Sequence, residues 1–180
     1  MDRVKIHDKA FELFIPYEKI RSVVEVMAEK MNRDLHGKNP LFVCILNGSF
    51  MFAAELFKRV NLIETEISFV KLASYKGDTT TGSVKHLIGL NENIKGRTVI
   101  ILEDIVDTGI TIDNILEQLR ELQPREIIIA TLLLKPEALQ KEVQLDYIGM
   151  EIPNNFIVGY GLDYNGYGRN LLDIYTVIND

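Results

Sequence analysis

The chain has 180 residues, 47% hydrophobic and 26% charged, with one cysteine. That is enough to bury a core without disulfides or a structural metal, and the composition excludes a disordered tail. The formal net charge of -6 gives no broad basic surface for nucleic acid, and no 18-residue stretch is apolar enough to span a membrane.

Met1 to Phe14 carries Asp2, Asp8 and Glu12, unlike the basic-then-apolar pattern of a secretory signal. A cytoplasmic location is therefore expected. Glu12 to Ile15 reads as a short strand ended by Pro16, which stands near the start of a helical pattern. Ile20, Val23, Val24, Met27 and Met31 recur at three and four residues, the spacing of an amphipathic helix. Gly37 and Pro40 mark its end. Leu41 to Leu46 is continuously apolar, as in a strand covered on both faces, and Cys44 inside it is expected to pack in the core. Asn47-Gly48-Ser49 predicts a sharp turn, and Phe50 to Phe57 a helix.

Leu62 to Leu72 reads as a long strand. Ala73 to Lys85 is polar and rich in Gly, Ser and Thr, and reads as an exposed loop or loose hairpin, either idle or a lid over substrate. Asn91 to Arg97 is a polar turn, and Thr98 to Leu102 a buried strand. A helix is predicted from Thr111, with Ile112, Ile115, Leu116 and Leu119 inward, broken by Pro124. Glu126 to Leu134, Asp146 to Met150, Phe156 to Val158 and Ile174 to Ile178 read as further strands. Strands alternating with helices of this length imply an α/β fold with a mainly parallel central sheet flanked by helices. With no repeat and no linker, residues 1–180 are expected to form a single domain. The N-terminal strand and part of the region after 135 would build a small hood.

The chemistry concentrates between Val99 and Thr111. An apolar strand delivers Glu103 and Asp104 to its C-terminal end, where α/β sheets bind ligands. Asp107, Thr108, Gly109, Ile110 and Thr111 come next, at the mouth of a helix. Unpaired N–H groups there suit a phosphate, Gly109 lets the backbone wrap closely, and the threonine hydroxyls add donors. No Walker lysine is present, so a nucleoside triphosphatase reading is poor. Carboxylates beside a phosphate need something else to hold, either ribose hydroxyls or magnesium. Alternation along a strand sends Glu103 and Asp104 to opposite faces. The plainer alternative is an acidic turn with a helix cap.

Glu103 to Thr111 resembles the phosphoribosyl pyrophosphate motif of type I phosphoribosyltransferases. Leu46-Asn47-Gly48-Ser49, Ser74-Tyr75, Lys135 and the run Phe156 to Asn165, with Arg169 beyond, narrow the resemblance to the hypoxanthine-guanine phosphoribosyltransferase family. It covers the chain from about Phe14 to Ile178 and implies the type I phosphoribosyltransferase fold. It further implies transfer of a phosphoribosyl group to hypoxanthine or guanine, Mg2+ as cofactor, and a homodimer or homotetramer. By the same resemblance, Glu103 and Asp104 hold the ribose hydroxyls directly or through magnesium, and Asp107 faces the purine N7 as general base and acid. Thr108, Gly109, Ile110 and Thr111 bind the 5′-phosphate. Lys135 donates to the purine O6, Phe156 stacks on the base, and the Ile157 backbone meets its edge. Asp163 borders the purine and helps place a second magnesium, and Arg169 contacts the pyrophosphate. Residues 46 to 49 form a pyrophosphate loop that often contains a cis peptide, with Leu46, Asn47 and Gly48 as its binding residues, and Ser74 and Tyr75 belong to a mobile loop. Two positions depart from the pattern. Family members frequently have a basic residue in place of Asn47, and often Lys in place of Ile110.

Two other readings stand beside this one. A phosphoribosyltransferase for another base, such as xanthine or a pyrimidine, would share the Glu103–Thr111 motif. A donor-binding regulator would lack a reason to keep Asp107 and Arg169, and would need a basic surface to touch nucleic acid. His7, His36 and His86 are scattered without zinc-ligand spacing.

Overall fold

The chain opens with β1 (Arg3–Ile6) and β2 (Lys9–Ile15), paired antiparallel around a turn in which His7 has φ 54°. The computed structural model describes residues 2–74 and 85–178. Helix α1 (Tyr17–Asp34) follows Pro16, and buries Ile20, Val24, Met27, Ala28 and Met31 along one stripe. Pro16 offers no capping side chain; the Tyr17 N–H instead donates to Asp173 Oδ1 at 2.8 Å. A carboxylate from far along the chain thus sits at the positive end of α1. Next come β3 (Leu41–Leu46), α2 (Phe50–Phe57), β4 (Glu66–Ser74) and β5 (Lys85–Ile88). They are followed by β6 (Thr98–Val106), α3 (Ile110–Glu121), β7 (Glu126–Leu134), β8 (Tyr147–Glu151), β9 (Ile157–Val158) and β10 (Ile174–Val177).

Six strands form a sheet in the order β5-β4-β3-β6-β7-β8, all parallel except the edge strand β5. This is an α/β architecture with a mainly parallel central sheet flanked by helices, as the strand and helix alternation predicts. Helices α1 and α2 cover one face over Phe42, Cys44, Ile100 and Leu102. Helix α3 covers the other over Val43, Val99 and Ile101. A second sheet, in the order β1-β2-β10-β9, joins the two ends of the chain around Phe11, Val158 and Tyr175. Strand β8, although it also lies after residue 135, belongs to the large sheet. Among the described residues no helix is long and apolar enough to cross a membrane.

Several elements differ from their expected bounds. Strand β1 is not among the expected elements, and β2 starts at Lys9 rather than Glu12, because the hairpin partner holds residues with little apolar character of their own. Strand β4 starts at Glu66 rather than Leu62, since its ladder partner begins only at Leu41. Lys85 to Ile88 pairs antiparallel with Lys71 to Ser74 as an edge strand, which agrees with the hairpin alternative for the polar segment from 73. The rest of that segment, residues 75–84, lies outside the described residues. Most consequentially, β6 does not stop at Leu102. Its parallel ladder with β7 continues through Glu103 and Ile105 to Val106.

Candidate active site

The extension of β6 carries two carboxylates into the interior. Glu103 and Asp104 are each 8% exposed and border a cleft of about 410 Å³ at the carboxyl ends of the parallel strands. Alternation along β6 continues the α3-covered face through Glu103 and the α1 and α2 face through Asp104. Burial, with the Asp104 charge adding to it, raises the Glu103 carboxyl well above the ordinary range, and among the described residues its Oε2 has no hydrogen-bond partner. Burial also pushes Asp104 up to about 6, against the pull of the Ile105 N–H, which donates to Oδ1 at 2.9 Å. A pair of this kind, one oxygen orphaned and both sheltered from water, suits a cation or the hydroxyls of a sugar. Asp163 is a third carboxylate on the cleft. Its Oδ1 lies 2.6 Å from Arg169 Nη2, and its Oδ2 accepts the Gly166 N–H at 2.6 Å.

Beyond β6 the turn of Asp107, Thr108 and Gly109 leads into α3, which begins at Ile110, one residue earlier than expected. The Thr108 carbonyl accepts the N–H groups of Gln140 and Lys141, at 3.0 and 3.2 Å, so the segment after β7 braces the turn. Thr108 Oγ1 accepts the Ile110 N–H at 3.4 Å. Asp107 and Thr111 line the cleft, while Gly109 is buried just before the helix. Lys135, at the end of β7, is almost wholly buried, and its Nζ meets Asp107 Oδ2 at 3.2 Å. Asp107 itself is half-exposed, so the pair sits at the cleft wall with the lysine behind the carboxylate. The Phe156 ring and Ile157 face the same cleft. Phe156 is held edge-on by Tyr164, with ring centroids 5.7 Å apart, and tilted against Phe11 at 6.3 Å.

The opposite wall is the turn between β3 and α2. The Leu46–Asn47 peptide is cis, as the resemblance implied for this loop. Leu46, Asn47 and Gly48 all line the cleft. Gly48 is wedged between two other segments. A Cβ on it would fall inside the Asp104 carboxylate, and a Cβ on Gly161 would fall inside the Gly48 carbonyl. Gly161 has φ +99°, which side chains rarely adopt, and its own carbonyl accepts Arg169 Nη1 at 2.7 Å.

The family model for the phosphoribosyl transferase domain matches residues 16–165. A hypoxanthine-guanine phosphoribosyltransferase of Streptococcus pneumoniae (strain ATCC BAA-255 / R6) is 38% identical over 161 residues, covering 89% of each chain. That of Streptococcus agalactiae serotype V is 44% identical over 146 residues, 81% of each. The chain belongs to the hypoxanthine-guanine phosphoribosyltransferase family. A solved hypoxanthine phosphoribosyltransferase from Staphylococcus aureus superposes with a TM-score of 0.85 at 35% identity, covering 93% of this chain and 91% of that one.

The fold of this phosphoribosyltransferase gathers the anticipated residues from six separate segments. Leu46, Asn47, Gly48, Glu103, Asp104, Asp107, Thr111, Lys135, Phe156, Ile157, Asp163 and Arg169 all border one cleft. Thr108, Gly109 and Ile110 stand next to it in the turn and first residue of α3. Ser74 ends β4, and Tyr75 lies outside the described residues. Sequence reasoning passes over Ile45, Leu72, Ile105 and Leu162, apolar residues on the cleft wall, because nothing in their chemistry separates a wall from a core. It also gives Gly161 no role of its own, although a glycine among glycines and polar residues is the available signal.

Gly161→Ala is expected to cost about 1–3 kcal/mol in backbone strain and to push the Gly48 turn out of place. Thermal unfolding and a transferase assay on the same variant check it. A wild-type melting temperature with wild-type turnover would show that the close approach is dispensable.

Proposed function

We propose that the chain transfers the 5-phosphoribosyl group of phosphoribosyl pyrophosphate to N9 of hypoxanthine or guanine, giving IMP or GMP and pyrophosphate. The observation that carries this reading is the Lys135–Asp107 pair, 3.2 Å apart on a wall shared with Phe156. On a 6-oxopurine, O6 and N7 are neighbours on one edge. A cationic donor beside an anionic acceptor matches that edge, and the exposed face of Phe156 offers a surface for the ring to stack on.

In the reaction, the N9 lone pair forms the new bond to ribose C1 while the bond from C1 to pyrophosphate oxygen breaks, its electrons leaving with the pyrophosphate. Asp107 accepts the N7 proton as the base becomes cationic, and returns it in the reverse direction. Lys135 donates to O6, and the Ile157 backbone meets the base edge. Arg169 faces the departing pyrophosphate beside Asn47 and Gly48, where favourable charge is needed as the bond lengthens. The turn from Thr108 to Thr111 receives the 5′-phosphate at the start of α3. Glu103 and Asp104 accept from the ribose hydroxyls.

The carboxylates of Glu103, Asp104 and Asp163 on the cleft support Mg2+ as the cofactor, each being a hard oxygen donor, and among the described residues no three acidic groups converge on one metal position without substrate. Magnesium characteristically takes only one or two carboxylates, completing its shell with water and substrate phosphates. When bound, it supplies positive charge to the pyrophosphate. Asp163 would have to release Arg169 to share in this, freeing the guanidinium for the leaving group.

Three outcomes are expected. Steady-state kinetics with hypoxanthine, guanine, xanthine and adenine, with and without magnesium, should show magnesium-dependent turnover of the 6-oxopurines and little of adenine. Absence of product with every oxopurine would end the reading. Asp107→Asn should lose about 10²-fold or more in turnover while still binding the donor; near-normal turnover at saturation would remove Asp107 from its role. Lys135→Ala should narrow the preference for oxopurines over aminopurines by about 1–3 kcal/mol, read as a ratio of kcat/KM values. An unchanged ratio would show that another group reads O6.

A further inference from the structure

Ser49 comes directly after the three residues of the turn and is fully buried behind Asn47 and Gly48. Its hydroxyl donates to the carbonyl of Ile45, near the end of β3. Its Oγ also stands 3.1 Å from Cys44 Sγ. A serine hydroxyl has a single proton, and here Ile45 takes it, so the buried thiol is the donor in the second bond. The Ser49 carbonyl accepts the Ala53 N–H at 2.8 Å and so begins α2. One residue therefore joins the end of a central strand to the start of a helix across Leu46, Asn47 and Gly48.

That turn has little freedom elsewhere. Gly48 is confined between the Asp104 carboxylate and Gly161. Asn47 carries no charge, so whatever anion the turn holds must be held largely by the placement of its backbone and amide groups. Placement is worth affinity because ordering a loop during binding has an entropic cost that a preset loop has already met.

We propose that Ser49 is a positioning residue, whose hydroxyl clasps the two ends of the turn and presets Asn47 and Gly48 for the pyrophosphate group of the donor substrate. The inference rests on the phosphoribosyl transfer reading above and extends it to a side chain that touches no substrate. The clasp acts on one half of the reaction. The base meets Lys135, Phe156 and Ile157 on the other wall and does not depend on it.

The test is a full kinetic comparison of wild type, Ser49→Ala, Ser49→Thr and Cys44→Ala in both directions. Losing the clasp should raise KM for phosphoribosyl pyrophosphate, and for pyrophosphate in the reverse reaction, by about tenfold, the scale of one buried hydrogen bond. KM for the purine base and kcat at saturation should stay within about twofold, because the purine wall and the attacking geometry are untouched. Ser49→Thr, which keeps the hydroxyl, should restore the pyrophosphate KM, and Cys44→Ala should produce a smaller rise of the same kind. Ser49→Cys, nearly isosteric but a poor donor, takes the place of Ser49→Ala should that variant fail to fold. Equal changes in all constants, or none, would overturn the clasp. A wild-type enzyme that neither binds the donor nor forms product would instead overturn the reading beneath it.

Discussion

The cleft depends on the persistence of one parallel ladder. Strand β6 stays paired with β7 beyond Leu102, through Glu103 and on to Val106. Aspartate and glutamate are poor strand formers, and burial opposes their charge. The backbone bonds and the apolar pairs Ile105–Leu133 and Val106–Leu134 carry the strand past them. Had β6 frayed at its acidic residues, both carboxylates would be solvated and mobile. Held in the ladder, they are fixed to opposite faces at the floor of a cavity. The end of β6 at Val106 then sets the position of the Asp107 turn and the start of α3, and the end of β7 at Leu134 sets that of Lys135.

The charges of this floor are arranged in pairs that a substrate would have to replace. Lys135 meets Asp107, and Arg169 meets Asp163. Both cations are thus compensated within the protein, which limits the electrostatic cost of keeping Lys135 almost wholly buried. A ligand that satisfies a cation and an anion together can exchange for such a pair at little net cost, whereas one offering the wrong donor leaves a buried group unmatched. Selectivity of this kind arises from how poorly mismatched ligands are accommodated, as well as from how well the right one binds.

The apolar runs of β3, β6 and β7 and the buried stripes of α1 and α3 were legible because each depends on a local period. The acidic strand end, the phosphate-suited turn and the glycine-containing loop were legible because their chemistry is unusual at close spacing. The remaining features are set by residues far apart in the chain. Strand β1 is four residues of weak alternation that become a strand only when β2 lies beside them. The Lys135–Asp107 distance depends on the relative lengths of β6 and β7, which no residue name encodes. The wedge of Gly48 between Asp104 and Gly161 requires three segments to meet at van der Waals limits. Sequence can nominate each glycine but not the contact.

The smaller sheet has a consequence for how the molecule is made. It pairs Phe11 to Ile15 with Ile174 to Val177, and Asp173 reaches back to the first N–H of α1. During synthesis β1 and β2 emerge long before β9 and β10, which complete their sheet. Contacts of such long sequence separation form late and slowly. The large sheet can assemble before these distant strands meet, so the wall that carries Phe156 is the last part of the cleft to be completed.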